Sequence, residues 1–200
     1  MGAITTEGLG AMAEPEREGK GLTNESDRRE TVFAGAFLAY YGRIAAVLFR
    51  LLGDHSQAEE LASDVFVKLY HQPWLADSDG KVGGWLYRTA THLGIDALRA
   101  QRRRQHYEEA ASRFRQETPP PPDALQEILR EEDRRRVRAV LARLRPARAQ
   151  ILILRASGLS YNELAEALDV KRASVGALLA RAEAEFQKRF LKMFGGEGQP

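Results

Sequence analysis

Residues of the types that do bond chemistry are present but not assembled. His92 and Asp96 stand four apart, the spacing at which two helical side chains can share a metal ion. No third donor accompanies them, and a local polar pair is the plainer reading. The acidic runs Glu59-Glu60 and Glu131-Glu132-Asp133 sit on helical patterns among bases, where solvated ion pairs are expected. There is no HExxH, no phosphate-cradling glycine loop and no GxSxG. The chain has no cysteine, which excludes a thiolate nucleophile, a disulfide framework and a cysteine zinc site. No catalytic residue, metal or cofactor is therefore expected.

The strongest charge chemistry lies in Trp85–Arg104, WLYRTATHLGIDALRAQRRR. At about 3.6 residues per turn, Leu86, Ala90, Leu93 and Ala97 share one face. Arg88, His92, Ile95, Arg99 and Arg102 share the opposite one, and Arg102-Arg103-Arg104 closes the segment. Cations for phosphates and rings for bases suit a nucleic-acid strand. The alternative is a solvated amphipathic helix whose basic end complements its dipole.

The elements that must position this helix can be read from the periodicity. Residues 1–29 are rich in Gly, Glu and Thr and are expected to be a disordered acidic leader. Residues 1–30 hold seven acids and four bases, and residues 31–200 hold 21 acids and 26 bases. The body is thus mildly basic, compatible with a nucleic-acid partner. From about residue 31, Phe33, Phe37, Ile44, Leu48 and Leu51 recur at helical steps, and Gly53 ends that helix. Arg43 and Arg50 interrupt this apolar run and argue against a membrane span. With no signal peptide visible, a soluble, cytoplasmic protein without membrane insertion is expected. Ser56–Glu59 reads as a capping box opening a second helix with Ala58, Leu61, Val65 and Leu69 inward. Leu75–Gly84 reads as a loop before the third helix.

The glutamate-rich run into Pro119–Pro122 favours an extended spacer. Domain one is placed at 30–104, a linker at 105–123, domain two at 124–192 and a tail at 193–200. The fold class is all-α, two small helical domains joined by a Pro-rich linker. In the second domain Asp123 can cap a helix through Leu125, Leu129, Val137 and Leu141. Pro146 opens another, ended by Gly158. Ser160–Glu163 is a second capping box, followed by a turn at Asp169-Val170 and a helix from about Arg172 to Phe190. A short helix, a tight turn and a longer helix make a helix-turn-helix, whose second helix enters the major groove. Its outward face is rich in alanine (Ala173, Ala177, Ala180, Ala184) and poor in the side chains that read bases. Lys171 and Arg172 can hold phosphates.

These segments together resemble the sigma-70 family of bacterial RNA polymerase sigma factors. Asp54–Tyr70 (DHSQAEELASDVFVKLY) resembles the conserved second region, Trp85–Arg104 its minus-ten-binding helix, and Leu144–Ala182 the fourth region. The short linker, with no third region, resembles the extracytoplasmic-function (ECF) group. The resemblance implies binding to core RNA polymerase, recognition of promoter DNA and help with strand opening, with an anti-sigma factor as a further partner. By position, Asp64, Phe66, Lys68 and Leu69 would meet the polymerase. Leu75–Val82 matches a loop that captures a flipped base. Lys81, Arg88, His92, Arg99, Arg102 and Arg103 would meet the minus-ten element. Lys171, Arg172, Ser174, Val175, Ala177 and Arg181 would meet the minus-thirty-five element.

The chain departs from the family pattern at His92, where Asn is usual, and at Asp169, where the turn usually has Gly. Gly176, Leu178 and Ala180 replace larger or basic residues, so no minus-thirty-five consensus transfers. More of the discrimination is expected from residues 75–104. Two weak DNA modules on one tether gain from effective concentration once polymerase holds both. A free-standing helix-turn-helix regulator is the rival binding reading, and a nucleic-acid-processing enzyme using His92 and Asp96 the rival catalytic one.

Overall fold

The computed structural model describes residues 19–77, 81–111 and 125–195. Seven α-helices carry the fold: α1 Gly19–Leu52, α2 His55–Tyr70, α3 Val82–Ala111, α4 Leu125–Leu141, α5 Pro146–Ala156, α6 Tyr161–Leu168 and α7 Arg172–Phe194. A 3-10 turn, Leu75–Asp77, lies before α3. Among the described residues there is no strand. The all-α class, with a helix-turn-helix in the second half, is as expected from periodicity.

α1, α2 and α3 bury one another's apolar stripes. Ile44, Val47, Leu48 and Leu51 of α1 meet Ala62, Val65 and Leu69 of α2 and Leu86, Ala90 and Ile95 of α3, all buried. α1 is long and apolar enough between Glu25 and Leu52 to cross a membrane by length and composition. Its C-terminal part, Ile44 to Leu52, supplies the central core. An aromatic ladder extends the packing upstream: Phe33 lies edge-on to Tyr70 at 5.3 Å, and Phe37 edge-on to Phe66 at 5.1 Å. Arg29 sits over the Tyr70 ring at 5.5 Å and donates to the Tyr70 carbonyl. These contacts help explain why helix extends into the expected leader: α1 starts at Gly19, not near residue 31. Residues 1–18 lie outside the described residues, as do Ser78–Gly80 of the expected loop, the Pro119–Pro122 spacer and Asp123.

Other boundaries shift for local reasons. α2 is capped by Asp54, whose Oδ1 accepts from the Gln57 amide at 3.0 Å. The expected Ser56–Glu59 box is not the cap, because Asp54 reaches the free amides two residues earlier. α3 begins at Val82 rather than Trp85 and continues through Gln105 to Ala111. That extension is proline-free and rich in helix formers. Pro146 occupies the first turn of α5, and Gly53 and Gly158 adopt left-handed φ of 74° and 88° at helix ends.

The second capping box forms as read. Ser160 Oγ accepts from the Glu163 amide at 3.3 Å, and Glu163 Oε2 accepts from the Ser160 amide at 2.8 Å. The Ser160 amide and then the Ser160 hydroxyl, which also donates to Glu163 Oε2 at 2.8 Å, outweigh desolvation and, with Arg43, hold the Glu163 carboxyl below its ordinary value of 4.5. Because the folded-state value is the lower one, this contribution is complete above the ordinary range and fades as pH falls towards the folded value. Glu163→Ala is expected to cost about 1 kcal/mol in urea unfolding at neutral pH. The gap between variant and parent should close as the pH falls through the carboxylate range.

Candidate nucleic-acid interface

α6, the turn and α7 form the helix-turn-helix. Leu164 and Ala167 of α6 and Val175, Leu179 and Ala182 of α7 are buried. The turn is made by Asp169 at φ 56° and ψ 49°, the described non-glycine residue with positive φ. A short polar side chain tolerates this left-handed position that usually calls for glycine. Lys171, Arg172, Ser174, Ala177 and Arg181 are exposed: Lys171 is the N-cap and Arg172 the first residue of α7, and Ser174, Ala177 and Arg181 share its outward face. Val175 does not join them. It is 0% exposed because it is the apolar contact that closes α7 onto α6, so its expected role at the minus-thirty-five element is withdrawn.

On α2, Asp64 and Lys68 are exposed. Phe66 and Leu69 are buried and cannot meet a polymerase surface in this arrangement. Phe66 is enclosed by Phe33, Phe37 and Tyr41 of α1, and Leu69 belongs to the inward stripe that Val65 and Ala62 continue. The residues that α2 does present beside Asp64 and Lys68 are Val67 and Tyr70, 57% and 41% exposed. Counting helical positions from Val65 and Leu69 would have found Val67.

α3 is where structure and expectation differ most. Its stripe with Leu86 and Ala90 is buried against α1 and α2, as expected. The face carrying Arg88, Ile95, Arg99 and Arg102 is not open to solvent: Tyr87, Thr91, Ile95 and Leu98 are also buried, since α4, α5 and α6 pack on that side. Lys81, His92, Asp96 and Arg103 remain exposed. Arg88 donates through Nε to the Ala167 carbonyl at 2.9 Å and through Nη2 to the Glu166 carbonyl at 3.1 Å. Its Nη1 lies 3.9 Å from Asp169 Oδ2. Arg99 donates through Nε to Ala142 at 3.2 Å and through Nη2 to Leu144 at 2.8 Å, and Arg102 donates to the Ala139 carbonyl. The expected strand-binding arginines thus serve carbonyls at the C-terminal ends of α6 and α4 and in the turn that follows α4.

Two arginines outside the expected set also reach the second half. Arg50 of α1 donates to the Ala156 carbonyl at the end of α5, at 3.2 Å. Arg43 pairs with Glu163 at 3.1 Å and lies over the rings of Tyr40 and Tyr87, at 5.8 and 5.5 Å. Burial works against its charge, but the Glu163 hydrogen bond and the two tyrosines leave its pKa raised. Burial likewise pushes the Tyr87 phenol up. The sequence signal was their spacing: seven residues, about two turns, on the same side of an apolar helix. Between the halves, the buried Gln150 of α5 donates through Nε2 to Thr91 Oγ1 at 2.8 Å.

The described residues contain no group of three His, Asp or Glu side chains that could hold a metal. His92 and Asp96 are both on the exposed strip of α3.

Comparison with known proteins places these elements. Residues 36–104 match the model of Sigma-70 region 2, and residues 134–186 match that of Sigma-70, region 4. The ECF RNA polymerase sigma factor SigW of Bacillus subtilis (strain 168) is 33% identical over 73 residues, 36% of this chain. The match spans 39% of that relative's length. A solved structure of the sigma factor RpoE in complex with the anti-sigma factor NepR, from Bartonella quintana, aligns over 81% of this chain and 98% of that one. Its TM-score is 0.45 and its sequence identity 20%. Both conserved regions are present in family order, on α1–α3 and on α4–α7, and the chain belongs to the sigma-70 family.

Proposed function

We propose that this chain is a non-enzymatic, cytoplasmic initiation factor that binds core RNA polymerase, directs it to promoters and assists strand opening. The observation that carries the reading is the joint match of regions 2 and 4. Promoter opening needs no bond chemistry. It needs a site that prefers separated strands, so that binding offsets an unstacking cost of about a few kcal/mol per flipped base.

Residues 30–104 form the polymerase and minus-ten module, 105–123 the tether, and 124–192 the minus-thirty-five module. Asp64 and Lys68 meet polymerase. Lys81, Arg88, His92, Arg99, Arg102 and Arg103 serve the minus-ten strand, and Lys171, Arg172, Ser174, Ala177 and Arg181 serve the upstream duplex. An anti-sigma factor would be a further protein partner.

The test is transcription of sheared genomic DNA by core polymerase from the same organism, with and without the protein, the transcript ends being mapped by sequencing. A set of protein-dependent starts sharing upstream elements is expected, together with co-elution of protein and core. Absence of both overturns the reading and favours a free-standing DNA-binding regulator.

A further inference from the structure

The turns of α1 from Glu25 to Phe33 lie upstream of the region 2 match, which begins at residue 36. They reach the end of α2 and the connection that leads into α3. Arg29 donates to the Tyr70 carbonyl, the last of α2, and covers the Tyr70 ring at 5.5 Å. One turn on, Phe33 meets Tyr70 edge-on at 5.3 Å and Phe66 at 6.3 Å. Arg28 Nη1 lies 3.8 Å from Oδ1 of Asp77, which closes the 3-10 turn.

The connection is tied internally. The Trp74 indole donates to Gln72 Oε1 at 3.1 Å, and Gln72 Nε2 donates to the Lys68 carbonyl at 3.0 Å. The Asp77 amide donates to the Trp74 carbonyl at 3.1 Å. Leu75 and Ala76 are buried, and Trp74 meets Trp85 of α3 edge-on at 5.8 Å. A closely packed segment of this kind transmits a displacement instead of absorbing it. The opposite end of α1 is fixed, because Ile44, Val47, Leu48 and Leu51 are buried in the core. From Ile44 back to Arg28 the helix is unbroken and spans about 24 Å at about 1.5 Å per residue.

We propose that Glu25–Phe33 is a brace for the α2–α3 connection, and that Arg28 and Arg29 are positioning residues for minus-ten selection. They act through Asp77 and Tyr70 on where Lys81 and Trp85 stand, without touching DNA themselves. A connection held in place before a base arrives spares the fitting base an ordering cost. A loosened one adapts to the wrong base as well, and the difference between bases narrows. The inference rests on the proposed role of residues 75–104 at the minus-ten element. It adds that selection there depends on turns outside the conserved region.

The Arg28 and Asp77 side chains are 60% and 82% exposed, so reversing their charges leaves the core untouched. Arg28→Asp, Asp77→Arg, the two combined, and Arg29→Ala are made in the full chain. The template is the strongest protein-dependent start found on genomic DNA, with its minus-ten element randomised. Transcripts made by core polymerase are counted by template sequence. Each single change should lower the ratio of best to second-best base by about threefold, within the range an exposed ion pair supplies. The combined reversal should return the ratio to within about twofold of wild type. Co-elution with core should stay at the wild-type level throughout.

An unchanged ratio in any single variant overturns the inference, as does a combined reversal no better than Arg28→Asp. A loss of core co-elution alongside the lowered ratio also overturns it, since the brace would then serve the polymerase contact. In each of these cases the wild-type starts leave the sigma-factor reading standing. A wild type that yields no starts overturns that reading and the inference together.

Discussion

Leu48→Ala is expected to destabilise the protein by about 3 kcal/mol, and Gly94→Ala, harmful alone, to recover about 1 kcal/mol of that loss. Leu48 is 0% exposed at the junction of α1, α2 and α3. Truncating it removes apolar contacts and leaves a cavity that the three helices cannot close. Gly94 of α3 faces the same spot. A Cβ there would stand 2.7 Å from Leu51 Cδ1 and 2.9 Å from Leu48 Cδ2, so alanine in the intact core must push two side-chain ends aside, at about 1 kcal/mol. With Leu48 shortened, one obstruction is gone and the new methyl fills part of the void. The helix-propensity gain of about 1 kcal/mol over glycine then becomes visible. Urea unfolding of the two single variants and the double variant reads the result as a change of sign in the effect of Gly94→Ala. Additive effects would show that Leu48 and Gly94 do not share the space.

The buried polar pair between the halves should respond asymmetrically. Thr91 Oγ1 donates to the Tyr87 carbonyl at 2.7 Å and accepts from Gln150 Nε2 at 2.8 Å. Thr91→Val conserves shape but leaves the Gln150 amide without that acceptor in a site where it is 4% exposed, at about 2 kcal/mol. Gln150→Leu leaves Thr91 still donating within its own helix, and the expected cost is below about 1 kcal/mol. The double variant, with neither polar group, should lie closer to the parent than Thr91→Val does. The measurement is again the urea midpoint at unchanged slope. Equal losses from the two single changes would mean that the hydrogen bond contributes no more than its packing.

The helices themselves were legible because each carries its signal locally. The Ser160–Glu163 box, Pro146, Gly53 and Gly158 act within a few residues, and apolar periodicity located the helical cores of α2, α5, α6 and α7. The inward set of α2 was also readable, yet Phe66 and Leu69 were assigned outward on resemblance, against their own periodicity. Val175 was misplaced in the same way. The α3 surface failed for a different reason. Arg88, Arg99 and Arg102 have the same composition and spacing whether they meet phosphates or carbonyls, since both ligands are oxygen acceptors. Nothing in residues 85–104 announces that α4 and α6 end opposite them. The Thr91–Gln150 pair joins two ordinary helical residues 59 positions apart, and such a pairing leaves no mark in a single sequence.

The acceptors for Arg50, Arg88, Arg99 and Arg102 are all backbone carbonyls, and every amino acid supplies the same one. These four arginine contacts therefore depend on where α4, α5 and α6 stop, while Gln150 and Glu163 join the halves through their side chains. The outward positions of α7 can change without disturbing these contacts. What α7 presents outward is thus uncoupled from what joins the two halves. A chimera that takes a different outward surface on α7 but keeps these helix ends is expected to keep the contact between its halves.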